Sequence, residues 1–133
     1  MDASVKDIVE ECTRGSDEER LTFPAVVMKL MSAGVERYHA DLRRAEKTYY
    51  LPDGGSHVIA SAPIDAQTAR GFSASAVEAA VRAIQAGRIS YKTFCERIAA
   101  AGCVGYLVSL TGRRAVYYGR TGECYVEPFP AEE

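Results

Sequence analysis

The sequence predicts an α+β fold with an antiparallel sheet, made of a helix-helix-three-strand unit that occurs twice. Three observations carry that prediction. Displaced by 68 positions, residues 6–59 fall on residues 74–127 without a gap and twelve positions are identical, where ordinary composition gives about three. The identities include residue types with a structural use: Gly34/Gly102, Tyr38/Tyr106, Tyr49/Tyr117, Tyr50/Tyr118 and Gly54/Gly122. In both copies, stretches of helical periodicity are followed by stretches that alternate with a period of two. The units are read as about 4–60 and about 74–128, joined by a linker over 61–73 that Pro63 and Gly71 punctuate. Each unit is small for folding alone, so 1–133 is expected to be a single domain with one shared core and approximate two-fold pseudosymmetry.

The elements follow in order. Ser4 and Asp7 suggest a capping box for a helix whose apolar face is Val5, Ile8, Val9 and Cys12, and Ser75 with Glu78 repeats it before Ala76, Val77, Ala80, Val81 and Ile84. Thr22 is the expected cap of the second helix, with Pro24 in the first turn and Phe23, Val26, Val27, Leu30 and Met31 along one face. Its counterpart opens at Ser90 and carries Tyr91, Phe94, Cys95, Ile98 and Ala99. Gly34 and Gly102 end these two helices, because glycine enters the left-handed conformation without a Cβ clash. Alternation then marks strands around 35–42 and 103–110, around Thr48-Tyr49-Tyr50 and Val116-Tyr117-Tyr118, and over 56–60 and 123–127, with turn residues between them.

Composition excludes more than it selects. Sixteen basic against eighteen acidic residues leave a net charge of −2, which gives no global field for nucleic acid or an acidic membrane. No apolar run approaches the ~20 residues of a membrane span, and the acidic first 21 residues are unlike a signal peptide, so the cytoplasm is the expected location. Cys12, Cys95, Cys103 and Cys124 form no C-x-x-C pair and are expected as buried structural thiols, with no metal and no cofactor.

Two groups of residues could carry function. Arg37, His39 and Asp41 share one face of a strand, and the second copy has Gly105, Leu107 and Ser109 there. With His57 they could form a small catalytic site on an anionic substrate, His39 as base, Asp41 orienting it and Arg37 holding the anion. The same residues also suit the solvated face of a half-exposed strand. Seven of the eight tyrosines fall in strands, and Arg43, Arg44, Arg113 and Arg114 lie at hairpin tips. With Tyr49 and Tyr117 these arginines are ligand-binding candidates, resembling the aromatic platform and basic margin of single-strand nucleic-acid binders. Residues 88–120 hold six basic and one acidic residue, but tyrosine also packs well in strands and the acidic termini oppose nucleic acid, so that role is the weaker expectation.

Gly34-Val35-Glu36-Arg37-Tyr38, Thr48-Tyr49-Tyr50, Ala101-Gly102-Cys103-Val104-Gly105-Tyr106, Thr111-Gly112-Arg113-Arg114, Tyr117-Tyr118-Gly119-Arg120 and Val126-Glu127-Pro128-Phe129-Pro130 together resemble the YbcV-like bacterial and prophage family of unknown function, often labelled "phage envelope protein". The resemblance covers nearly the whole chain. It implies a prophage-related accessory protein and supplies no activity, cofactor or catalytic residue. The expectation is therefore a non-enzymatic binding or interaction domain, with a protein partner or a homodimer formed through unpaired edge strands.

Overall fold

The computed structural model describes residues 1–130. Helices α1 (Ala3–Asp17) and α2 (Phe23–Ser32) precede strands β1 (Arg37–Asp41), β2 (Glu46–Tyr50) and β3 (Ser56–Ala60); α3 (Ala74–Gln85), α4 (Tyr91–Ala100), β4 (Cys103–Ser109), β5 (Arg114–Gly119) and β6 (Cys124–Pro128) follow. The element order thus repeats, and α2/α4, β2/β5 and β3/β6 begin at positions that the 68-residue displacement superimposes. All six strands join in one antiparallel sheet of order β3-β2-β1-β4-β5-β6. The seam between halves is the pairing of their first strands, Arg37 opposite Ser109 through Asp41 opposite Gly105.

Local chemistry accounts for most element ends. Thr22 and Ser90, both extended, accept from Ala25 N–H and Thr93 N–H and open α2 and α4. Gly34 and Gly102 lie at φ +80° and +96° just beyond those helices. The expected capping boxes at Ser4 and Ser75 do not form. Asp2 and Ser73 hold the extended cap conformation instead, accepting from Val5 N–H and Ala76 N–H, so each helix starts two residues earlier. Ser4 donates to Asp2 and so supports the cap that displaced it.

The four helices cover one face of the sheet, a two-layer α+β arrangement. Val9, Cys12, Val26, Leu30, Val77, Val81, Phe94 and Ile98 pack from the helices onto Tyr38, Ala40, Tyr49, Tyr106, Val108 and Tyr117 of the strands. The tyrosine rings of neighbouring strands touch in sequence: Tyr38 meets Tyr49 at 5.2 Å and Tyr106 at 6.4 Å, and Tyr106 meets Tyr117 at 5.3 Å. Cys12, Cys95 and Cys103 are buried as expected, but Cys124 is exposed, because its place in β6 faces away from the helices.

Candidate functional site

Alternation sends every second strand residue to the side the helices leave open. The strand registers align these residues into three rows across all six strands. The central row reads Val58, Thr48, His39, Leu107, Val116, Val126. One flanking row, with Glu46 and Asp41, is acidic, and it runs on through Gly105 and Tyr118. The opposite row, with Tyr50, Arg37, Ser109 and Arg114, is basic. At the two ends of the central row Val58 and Val126 are 53% and 42% exposed.

Arg37, His39 and Asp41 do share this face, but each is engaged separately. The Arg37 guanidinium pairs with Glu36 and lies 4.2 Å from the centre of the Tyr50 ring. His39 Nε2 is 2.7 Å from the Tyr118 hydroxyl, with the rings stacked. Asp41 Oδ1 accepts the backbone N–H groups of Arg43 and Arg44, closing the β1–β2 turn rather than orienting His39. His57 lies on the helix-covered face, where its Nε2 is 3.4 Å from Glu10 of α1. The sheet therefore separates His57 from the other three, and the four residues do not converge on one point.

Tyr118 reaches His39 because of Gly105. A Cβ at Gly105 would come within 2.8 Å of both the Tyr118 hydroxyl and the Ala40 carbonyl oxygen, so only glycine lets the ring lie across β4. Partial burial, with Asp41 and Cys103 nearby, raises the Tyr118 phenol above its ordinary value. In the sequence Gly105 stands out as the counterpart of Arg37 in the second unit, and nothing local to it announces the contact with Tyr118.

The ligand candidates are also dispersed. Tyr49 and Tyr117 are 1% and 7% exposed in the core and cannot stack on a ligand. Arg43 and Arg44 lie at the β1–β2 turn and Arg113 and Arg114 at the β4–β5 turn, and the antiparallel seam puts those turns at opposite ends of the sheet. Arg44 pairs with Glu46, and Arg113 lies over Phe129. On the open face Tyr50 and Tyr118 are the exposed-side rings, already covered by Arg37 and His39, which leaves no free aromatic platform there.

A buried lysine escaped the sequence reading. Lys47 has the inward parity of Tyr49, and its ammonium sits 4.7 Å from the Tyr91 ring centre and 5.9 Å from that of Tyr38. Burial pushes this amine below its ordinary value, although Cys95, Asp17 and Cys12 pull the other way. Beside it the Cys95 thiol is pushed up to about 11 by burial. The cavity they border holds about 20 Å³, and Ala62 N–H donates to Asp17 Oδ2 in its lining. That is room for about one water, against the several hundred Å³ of a ligand pocket. A shallow groove of about 450 Å³ between α1 and α2, lined by Asp7, Ile8, Glu11, Met28, Lys29 and Ser32, includes none of the candidate residues. Among the described residues no His, Cys, Asp and Glu cluster could hold a metal, and no helix is long and apolar enough to cross a membrane.

Fold and surface together define a two-layer α+β protein with one sheet face open. The chain belongs to the family described as protein of unknown function (DUF1398), whose model matches residues 17–128. It is 31% identical over 113 residues to the uncharacterized protein Rv2012 of Mycobacterium tuberculosis (strain H37Rv) and, to the same extent, to the uncharacterized protein Mb2035 of Mycobacterium bovis. Each alignment covers 84% of this chain and 68% of the relative.

Proposed function

We propose that this protein is a non-catalytic interaction module whose working surface is the open sheet face, and that it docks a protein surface with an apolar centre between opposite charges. One observation carries the reading: the central row sets Leu107, Val116 and Val126 beside one another on a face that no helix covers. Apolar side chains grouped on an uncovered face are the usual mark of a protein contact. The charged residues beside them are held by neighbours rather than gathered round a cavity, which favours docking over catalysis. An accessory protein of prophage origin, as the resemblance implies, would act through such a surface. The buried free thiols Cys12, Cys95 and Cys103 suit a reducing compartment such as the cytoplasm.

The test is in-cell photo-crosslinking from a reactive residue at position 107 or 116, compared with exposed Lys92 on α4. The open-face positions should give one discrete adduct, identified by mass spectrometry, that is lost when the charges of Arg37 and Asp41 are both made like. No discrete adduct, or the same adduct from position 92, would refute the proposal.

A further inference from the structure

The occupant of the open face can be narrowed from its charge pattern. We infer that it is a second copy of this chain, laid face to face so that the two-fold axis runs along the central row; the inference rests on the interaction reading above. Such an axis places each central-row residue over its own equivalent. It also exchanges the two flanking rows, so the acidic row of one copy lies on the basic row of the other.

The residues of β1, β4 and β5 carry the argument. Asp41 and Arg37 are at the two ends of β1, in opposite rows, so the rotation brings Asp41 of each copy over Arg37 of the other, twice; Arg37 is already paired with Glu36 through Nη1, and its guanidinium has further N–H donors to share. Asp41 Oδ1 is taken by the turn, whereas Oδ2 makes no hydrogen bond among the described residues. On β5 the same operation sets Arg114 opposite Tyr118. In the centre Leu107 meets Leu107 and Val116 meets Val116. The competing two-fold axis, parallel to the strands, would set Leu107 on His39 and Val116 on Thr48, mixing apolar with polar groups, and would leave Asp41 facing Gly105. Matching of both charge and polarity therefore selects the axis along the row.

Size sets the expected strength. Six strands at ~4.8 Å spacing and five residues at ~3.4 Å give a face of roughly 24 by 17 Å, or about 400 Å² from each copy. That is about 800 Å² in total, below the ~1,200 Å² at which standard specific interfaces begin, so the dimer should be weak and transient, with a dissociation constant of roughly a hundred micromolar. Sheets packed face to face cross at about 30°, which a small tilt of the axis accommodates.

Velocity sedimentation of the full chain from about 1 to 500 µM reads the equilibrium directly. The wild type should dimerise, Leu107→Glu should weaken dimerisation about a hundredfold with an unchanged circular dichroism spectrum, and Arg37→Asp should weaken it about tenfold. Because exchanging both charges also removes the turn contacts of Asp41, register is read by cross-linking in a Cys124→Ser background. Leu107→Cys should form a disulfide with itself. Ser56→Cys and Ala60→Cys proteins, at the two ends of β3 in the same opposite rows, should cross-link when mixed and not when alone. A wild type that stays monomeric, a dimer indifferent to Leu107→Glu, or Ser56→Cys linking to itself would each overturn the second-copy assignment. A monomer in solution whose position-107 adduct is with a different protein overturns this inference alone, and loss of every adduct overturns the interaction reading as well.

Discussion

The two halves of the molecule agree on the covered side of the sheet and differ on the open side. Tyr38 and Tyr106, and Tyr49 and Tyr117, occupy matching inward positions and are buried in both halves. Outward, Arg37, His39 and Asp41 of β1 stand where β4 has Gly105, Leu107 and Ser109. Burial explains the contrast, since a ring packed between helices and sheet tolerates few replacements, while an outward position answers only to what it meets in solution. Lys47 is the exception on the covered side. Ala115 occupies the matching place in β5, and the first half has made a small cavity for a charged amine where the second half packs a methyl group.

That comparison can be broken experimentally. The largest effect is expected from alkali. Burial pushes Cys95 and Cys103 up to about 11 from 9.0, and raises Tyr38, Tyr91 and Tyr106. Because their folded-state values are raised, the stability they contribute is complete below about pH 9 and is lost as pH rises towards 11. The two thiols alone represent on the order of 5 kcal/mol over that window. Both belong to the second half. Urea midpoints measured from pH 7 to 10.5 should therefore fall steeply, and Cys103→Val should flatten the fall. Lys47, lowered by burial, acts in the opposite sense and only moderates it.

Next, exchanging the inward residues should expose the asymmetry directly. Ala115→Lys, with no chamber to receive the amine, should cost about 3–5 kcal/mol. Lys47→Met should be close to neutral, since its ammonium makes no hydrogen bond among the described residues. Equal costs in urea denaturation would show that the two sites are interchangeable after all. Gly105→Ala should cost about 1–3 kcal/mol and displace Tyr118 from His39, visible as a changed His39 imidazole resonance. The smallest contrast concerns hydroxyls. Tyr49 shares a 2.9 Å hydrogen bond with buried Thr13, whereas the Tyr117 hydroxyl makes none to the protein among the described residues. Tyr49→Phe should lose about 1–2 kcal/mol, and Tyr117→Phe almost nothing.

The elements most legible in the sequence were those governed by one or two neighbouring residues. Thr22 and Ser90 as caps, Gly34 and Gly102 as stops, and the alternation of the tyrosine pairs all depend on local geometry. The caps of α1 and α3 were missed because Asp2 and Ser4, or Ser73 and Ser75, are equally able to cap. Which of them is extended depends on how the chain enters the helix. The four candidate residues are placed apart for a longer-range reason. Parity groups Arg37, His39 and Asp41, but the side on which His57 emerges depends on the registers of two intervening hairpin steps. Lys47 was readable, since its parity with Tyr49 marks it as inward.

The seam between β1 and β4 also bears on how the protein is made. A nascent chain completes β1, β2 and β3 while the inner edge of β1 still has no partner, because residues 103–109 have yet to be synthesised. Its backbone N–H and C=O groups then offer a template of the kind that invites exchange with another chain. A β4 supplied by a neighbouring polypeptide would satisfy that edge as well as the chain's own, so crowded synthesis favours strand-swapped species. The 61–73 segment counters this by joining the two halves covalently over a short span; its Ala69 and Ser73 N–H groups donate to the Ala99 and Ala101 carbonyls at the helix end that leads into β4. Lengthening that tether with flexible residues would lower the local concentration of β4 and increase the swapped fraction during refolding.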